Sequence, residues 1–278
     1  MPRGPGAIPP AVSGLRPEGR GLFLAFAKEN PNSILSSIHF ARENARVIRE
    51  NLTKETWEGL NKLYHFVNAK MERKIWLKED PRAFFHEVKN HILLLYGIAD
   101  STVARTEGWH FRQLGLFLER ADKTSRILDV KYHILLPTAD EIGTPLDFLH
   151  WTALLKSVTA FNTYKRLYGN IEPAKVVEFL LLNEYFPRSV FYCLREAEHC
   201  LNRISGQGDR AYRNSAVKAI GELRAQLEFT EVGEIIDSGL HEYIDGLQLK
   251  LNQVSNKIHS NFFQIKDNFV QQTSSTLQ

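Results

Sequence analysis

The chain has 278 residues, of which 43% are hydrophobic and 24% charged, enough apolar content for one large or two smaller cores and too much for a disordered chain. A formal charge of +3 is too small to argue for nucleic acid, whose binders present a concentrated basic face. Two cysteines exclude a disulfide framework, and the longest apolar run, Ile92 to Ala99, falls well short of the roughly 20 residues that span a bilayer; a soluble, cytoplasmic protein is expected.

The first twenty positions hold five prolines and four glycines and no apolar stretch of signal-peptide type, so residues 1–21 are expected to be a disordered leader outside the fold. From Leu22 the spacing becomes helical and stays so almost to the end. Asn30-Pro31 reads as an N-cap with proline at the first helical position. Ile34, Ile38, Ala41, Ala45, Ile48 and Leu52 then recur at steps of four and three, the spacing of one buried helical stripe. At about 100° per residue, Arg42, Arg46 and Arg49 fall together beside that stripe, with Glu43 and Glu50 next to them.

Thr53 recaps the chain into a helix with Trp57, Leu60, Leu63, Tyr64 and Val67 on its apolar face. Asp80-Pro81 opens another, through Phe84, Phe85, Val88, Ile92 and Leu95, ending near Gly97. A long helix from Trp109 to about Leu136 carries Leu114, Leu118, Ala121, Ser125, Leu128 and Tyr132 inward. Beside them runs a second charged stripe, Arg112, Gly115, Glu119, Asp122, Arg126 and Asp129, in which Arg112, Glu119 and Arg126 stack seven apart. Gly115 in mid-helix costs roughly 1 kcal/mol against alanine, which suggests close approach of a backbone or ligand.

Pro137 to Pro145 marks the internal boundary. We therefore expect an all-α multi-helix bundle of two related halves, 22–137 and 138–270, with a flexible tail at 271–278. In the second half, helices are predicted over 146–168, 173–182, 187–204, 210–228 and 240–269. Pro31-Asn-Ser-Ile34 matches Pro187-Arg-Ser-Val190 at an offset of 156, and the apolar positions that follow match too, which points to an internal repeat. By the same offset, a counterpart of the Gly115 helix would precede residue 1. That N-terminal copy is expected to be missing and to leave apolar surface uncovered.

Ala41-Arg-Glu-Asn-Ala-Arg-Val-Ile-Arg-Glu50 with Trp57-Glu58 and Leu60-Asn-Lys-Leu-Tyr64 resembles the bacterial alpha-E domain family, a family of unknown function. Gly115-Leu-Phe-Leu-Glu-Arg-Ala-Asp-Lys-Thr-Ser-Arg-Ile-Leu-Asp129 is similar to its second hallmark and Phe186-Pro-Arg-Ser-Val190 to a third; the resemblance covers roughly residues 22–265. It implies an α-helical fold and encoding beside ATP-grasp and transglutaminase-like proteins, hence a role in peptide synthesis or peptide tagging. Members usually begin with a further Tyr-Leu-Glu-Arg-Ala-Glu type motif that this chain lacks. The family supplies no catalytic residues to carry over.

Arg42, Glu43, Arg46, Arg49, Glu50, Arg112, Glu119, Asp122, Arg126 and Asp129 are therefore the candidate functional charges. In one reading they form inter-helix charge networks, and the protein is a partner or scaffold subunit of the ATP-grasp and transglutaminase-linked system. In the other, the arginines grip a peptide carboxylate or phosphate, Glu43 or Glu119 supplies an acid or base, and the protein is an enzyme acting on peptide or amino-acid conjugates. Glu107-x-x-His110 and Glu196-x-x-His199 have the spacing of di-iron ligands, but Glu107 sits at a helix start, and neither metal nor cofactor is expected. Cys193 and Cys200, seven apart on one helix, are too distant for a mutual disulfide and are expected in the core. No phosphate loop or nucleophile elbow is present, and neither nucleic acid nor membrane is expected as partner.

Overall fold

The computed structural model describes residues 21, 24–73, 80–133, 144–206 and 214–264. Residues 1–20, the 137/138 boundary and the tail at 271–278 lie outside the described residues. All regular structure among the described residues is helical, as the sequence spacing requires.

The chain divides into two compact units, residues 1–104 and 105–278. The first contains α1 (Ile34–Val47), a short 3-10 turn (Arg49–Asn51), α2 (Lys54–Glu72) and α3 (Pro81–Thr102). Its core is Leu35, Ile38, Leu63, Val67, Phe84 and Val88, with Phe26 against Phe84 at 5.0 Å between ring centroids. The N-cap of α1 is Ser33, not Asn30, because the Ser33 hydroxyl accepts from the Ser36 amide at 3.1 Å while the Asn30 side chain is used in the preceding turn by Asn32 N. Thr53 and Asp80 cap α2 and α3 as the sequence predicts, with Pro81 at the first helical position. α3 continues through Gly97 to Thr102, five residues past the predicted end, since a single glycine costs less than the helical bonds on either side of it supply.

The second unit is built around α4 (Glu107–His133), with α5 (Pro145–Ser157), α6 (Phe161–Tyr168), α7 (Pro173–Leu181), α8 (Val190–Ser205), α9 (Ser215–Glu228), α10 (Val232–Asp237) and α11 (Leu240–Phe262). α4 packs most extensively on α8 and also on α11, α7 and α5. Leu114, Ala121, Ser125 and Leu128 are buried along it and Leu118 is half-buried; the side chain of Tyr132, also predicted to face inward, lies outside the described residues. α8 contributes Cys193, Leu194, Ala197, Cys200 and Leu201 to the same core, and both thiols are free and buried. Burial pushes the Cys193 thiol up to about 12 and the Cys200 thiol up to about 11.

The second unit departs from some of the predicted elements. The single helix expected over 146–168 is broken at Val158-Thr159-Ala160, where Thr159 takes a left-handed backbone (φ 58) and the Ala160 amide reaches back to Leu155 O at 2.7 Å. This costs about 1–2 kcal/mol of backbone strain. Burial of Val158 and Ala160 on both sides of the break offsets it. The six-residue α10 falls in the stretch between the predicted helices, because so short a helix shows no apolar period; a capping box between Glu231 and Glu234 holds it. α8 starts at Val190, three residues later than predicted, since Ser189 and not Pro187 is its cap. Ser33 and Ser189, which the offset of 156 pairs, are thus both buried N-caps of the helices that follow.

Candidate functional site

The charges on α1 do not form the single stripe that its spacing predicts. α1 packs mainly on α2, so only a narrow line is covered: Leu35, Ile38 and Ala45 are buried, whereas Ala41 and Ile48 are exposed. Arg42 lies on that covered line, between Ile38 and Ala45. Its guanidinium sits 4.6 Å from the Tyr64 ring centroid and 5.8 Å from that of Trp57, and its Nε donates to Asn61 Oδ1 at 2.8 Å. Glu43 lies 3.1 Å from it. Arg42 is thus a packing arginine whose charge is spent on two aromatic faces and two oxygen acceptors.

Consecutive β-branched Val47 and Ile48 weaken the helix, and α1 ends there. Arg49 and Glu50 consequently belong to the 3-10 turn. Arg49 still reaches Trp57, 5.3 Å from the ring centroid. Arg46 points away: its side chain is 70% exposed and meets Glu43 only at 3.7 Å. Glu50 is exposed. The family-like segments 41–50 and 57–64 therefore meet through Arg42, Arg49, Trp57, Asn61 and Tyr64.

On α4 the second stripe is drawn into local and long-range pairs. Arg126 Nε donates to both Asp122 oxygens, at 3.0 and 2.9 Å, and Lys123 adds a contact at 3.2 Å. Burial alone would raise the Asp122 carboxyl, but the hydrogen bond and charge of Arg126, with Lys123, outweigh it and hold the group below the ordinary carboxylate range. Glu119 is largely exposed and pairs with Lys123 at 3.2 Å. Arg112 is half-buried. Gly115 is exposed, and a methyl group there would meet nothing within 4 Å, so the close approach expected at this glycine is not found among the described residues.

Asp129 accepts from His241 Nδ1 at 2.9 Å, and Asp245 lies 3.7 Å from the other ring nitrogen. The hydrogen bond to Asp129 raises the imidazole above its ordinary value, helped by the charges of Asp129, Asp245 and Glu242 against partial burial. Among the described residues, Asp129, His241 and Asp245 bring three metal-ligand atoms within 4.8 Å of one another. Nδ1 is already engaged by Asp129, which leaves Nε2 and the exposed Asp245 as the outward atoms. Both Glu-x-x-His motifs lie outside that group. Their histidines nevertheless meet, with His110 and His199 ring centroids 6.2 Å apart, and burial, then Arg203, His199 and Arg105, lowers the His110 pKa.

Sequence reasoning missed two pairs. His241 lies 112 positions from Asp129, and its signal was faint: a histidine three before Ile244, on the shoulder of the α11 stripe. Lys131 and Asp147 form an ion pair at 2.5 Å with side chains only 7% and 5% exposed, joining the end of α4 to the start of α5. Lys131 also lies 5.4 Å from the Trp151 ring centroid. The second and third family-like segments meet as well, since the Thr124 hydroxyl donates to the Arg188 carbonyl at 2.8 Å.

These features define an all-helical domain in which Arg42, Arg49 and Asp129 of the Arg/acid motifs meet partners on other helices. A family profile described as a predicted alpha-helical domain with a conserved ER motif matches residues 16–263, and the chain belongs to this Alpha-E family. Glu-Arg occurs here at 72–73 and, within the second family-like segment, at 119–120. The chain is similar to uncharacterised proteins of Mycobacterium bovis and Mycobacterium tuberculosis, 21% identical over 250 residues, which are 86% of this chain and 26% of theirs. The chain therefore spans about a quarter of the length of these curated relatives. No solved structure matches it. Among the described residues no helix is long and apolar enough to cross a membrane.

Proposed function

We propose that this chain is a partner or scaffold subunit of a peptide-synthesis or peptide-tagging system that contains ATP-grasp and transglutaminase-like proteins. The observation that carries the reading is that the best-buried motif charges are already engaged: Arg42 by Asn61, Glu43 and two rings, Arg126 by Asp122 one turn away on the same helix, and Asp129 by His241 across a seam. An arginine already so engaged is poorly placed to grip a substrate carboxylate, because binding would have to break existing bonds first. The length of the mycobacterial relatives, in which the matched region is 26% of the chain, further supports a module that works beside other parts. The partner class rests on the family resemblance, and duplication of a helical half accounts for the paired serine caps.

Co-expression with an ATP-grasp protein of the same genome, followed by size-exclusion chromatography with light scattering, tests the reading. A stable complex is expected, and separate elution of the two proteins at micromolar concentration counts against it. Arg46→Glu should leave the thermal midpoint unchanged. If the same variant abolishes binding of a peptide, the stripe is a ligand site and the purely architectural account fails.

A further inference from the structure

We propose that a cleft in the second unit, walled by the turn at 183–187, binds a cationic peptide segment of a partner protein, with apolar residues flanking its basic ones. Two adjoining hollows of about 640 and about 810 Å³ share Tyr168, Asn183 and Tyr185. Glu178, Glu184, Glu228 and Glu231 line the first, together with apolar side chains and without any lysine or arginine. The second is lined mainly by Leu167, Tyr185, Phe186 and Pro187, with Arg166 as its basic side chain.

Charge complementarity names the occupant. Four carboxylates, one of which (Glu231) also accepts the Glu234 amide in its capping box, line this hollow in a protein that carries more basic than acidic residues, and the cations that reach them come from outside the lining. Arg195 approaches Glu184 only to 4.0 Å, Arg224 divides itself between Glu228 and Glu198, and Lys175, whose charge also reaches Glu178, is bonded to Glu172 at 2.9 Å. The hollow therefore keeps a negative balance that an incoming lysine or arginine would neutralise, while an anion would be repelled. The adjoining hollow offers exposed apolar surface to the neighbouring residues of the same ligand, with Tyr185 76% and Leu167 58% exposed.

The wall is also preorganised. Asn183 Oδ1 accepts from the amides of Tyr185 and Phe186 at 3.0 and 2.8 Å, and the Ser189 hydroxyl donates to Asn183 O. Tyr185 is thus held outward by its backbone, and little ordering remains to oppose binding. The inference stands apart from the ATP-grasp assignment, because any partner with such a segment satisfies it.

The test uses the full chain and a fluorescein-labelled pool of nonapeptides with arginine or lysine fixed at three positions and leucine, proline, phenylalanine or tyrosine between them. A matched pool carries glutamate at the three fixed positions. Fluorescence anisotropy should show the cationic pool binding at least ten-fold tighter than the acidic one. Glu178→Gln/Glu184→Gln should weaken it at least five-fold, and so should Tyr185→Ala, which alters an exposed side chain and keeps the circular dichroism of the parent. Equal binding of the two pools overturns the proposal, as does undiminished binding by both variants. Self-association of the chain that Tyr185→Ala abolishes would assign the cleft to a second copy and overturn it too.

Discussion

His241 Nδ1 lies 2.9 Å from Asp129 Oδ1 and so ties α11 to the central helix through one titratable contact. Because Asp129 raises the folded-state pKa of this imidazole above 6.5, its stabilisation is complete below that value and is lost as pH rises through the raised one. His110 has the opposite sign: burial lowers its pKa, so its contribution is present above 6.5 and lost as pH falls through the lowered value. Urea titrations from pH 5 to 9 should show His241→Phe losing stability chiefly on the acid side, and His110→Phe relieving part of the acid-side decline. A His241→Phe deficit that is the same at pH 5 and pH 9 would contradict the charged pair.

Lys131 and Asp147 are almost wholly buried, so removal of one partner takes away the ion pair that offsets the burial of the other. We expect Lys131→Met to cost about 3–5 kcal/mol, and Lys131→Met/Asp147→Leu to recover most of that loss. The coupling energy of this double-mutant cycle measures the pair, and simple additivity would refute it.

Gly115 lies in open space on an exposed helix face. Gly115→Ala should therefore raise stability by about 0.5–1 kcal/mol, read from the denaturation midpoint at constant slope. A destabilised alanine variant would mean that something approaches this face after all.

On α1, Arg42→Ala should cost about 1–2 kcal/mol through lost stacking and a lost hydrogen bond, whereas Arg46→Ala should stay within about 0.5 kcal/mol. The contrast is a direct check on which arginine belongs to the seam.

Both thiols, raised by burial to about 12 and about 11, should resist Ellman's reagent at pH 8 in the folded protein and react promptly in urea. Rapid labelling of the native chain would place a cysteine nearer the surface than the fold has it.

The helices were legible because apolar residues repeat with helical period, and Thr53 and Asp80 are capping types next to good helix formers. The reading failed where local signals competed. Asn30-Pro31 has the better cap sequence, yet Ser33 wins because its hydroxyl reaches Ser36 from a buried position. The stripe on α1 was misplaced because Ala41 and Ile48 look as apolar as Leu35, and only the position of α2 decides which line is covered. The candidate charges on α1 did not keep the predicted flank, since Arg42 lies on the covered line and Arg49 and Glu50 in the 3-10 turn, and the inter-helix partners were not legible. Asn61 and His241, and likewise Asp147 opposite Lys131, come from other helices, and no period within one helix reports a neighbour.

The Thr124 hydroxyl on the Arg188 carbonyl does more than close one hydrogen bond. Apolar side chains alone tolerate repacking, so a helix surrounded by leucine and alanine has several nearly equivalent settings. A turn of α4 by one residue, about 100°, would carry this hydroxyl away from its acceptor. The contact acts as an index pin: it selects one angular setting of the central helix and thereby decides which of its side chains the rest of the bundle sees.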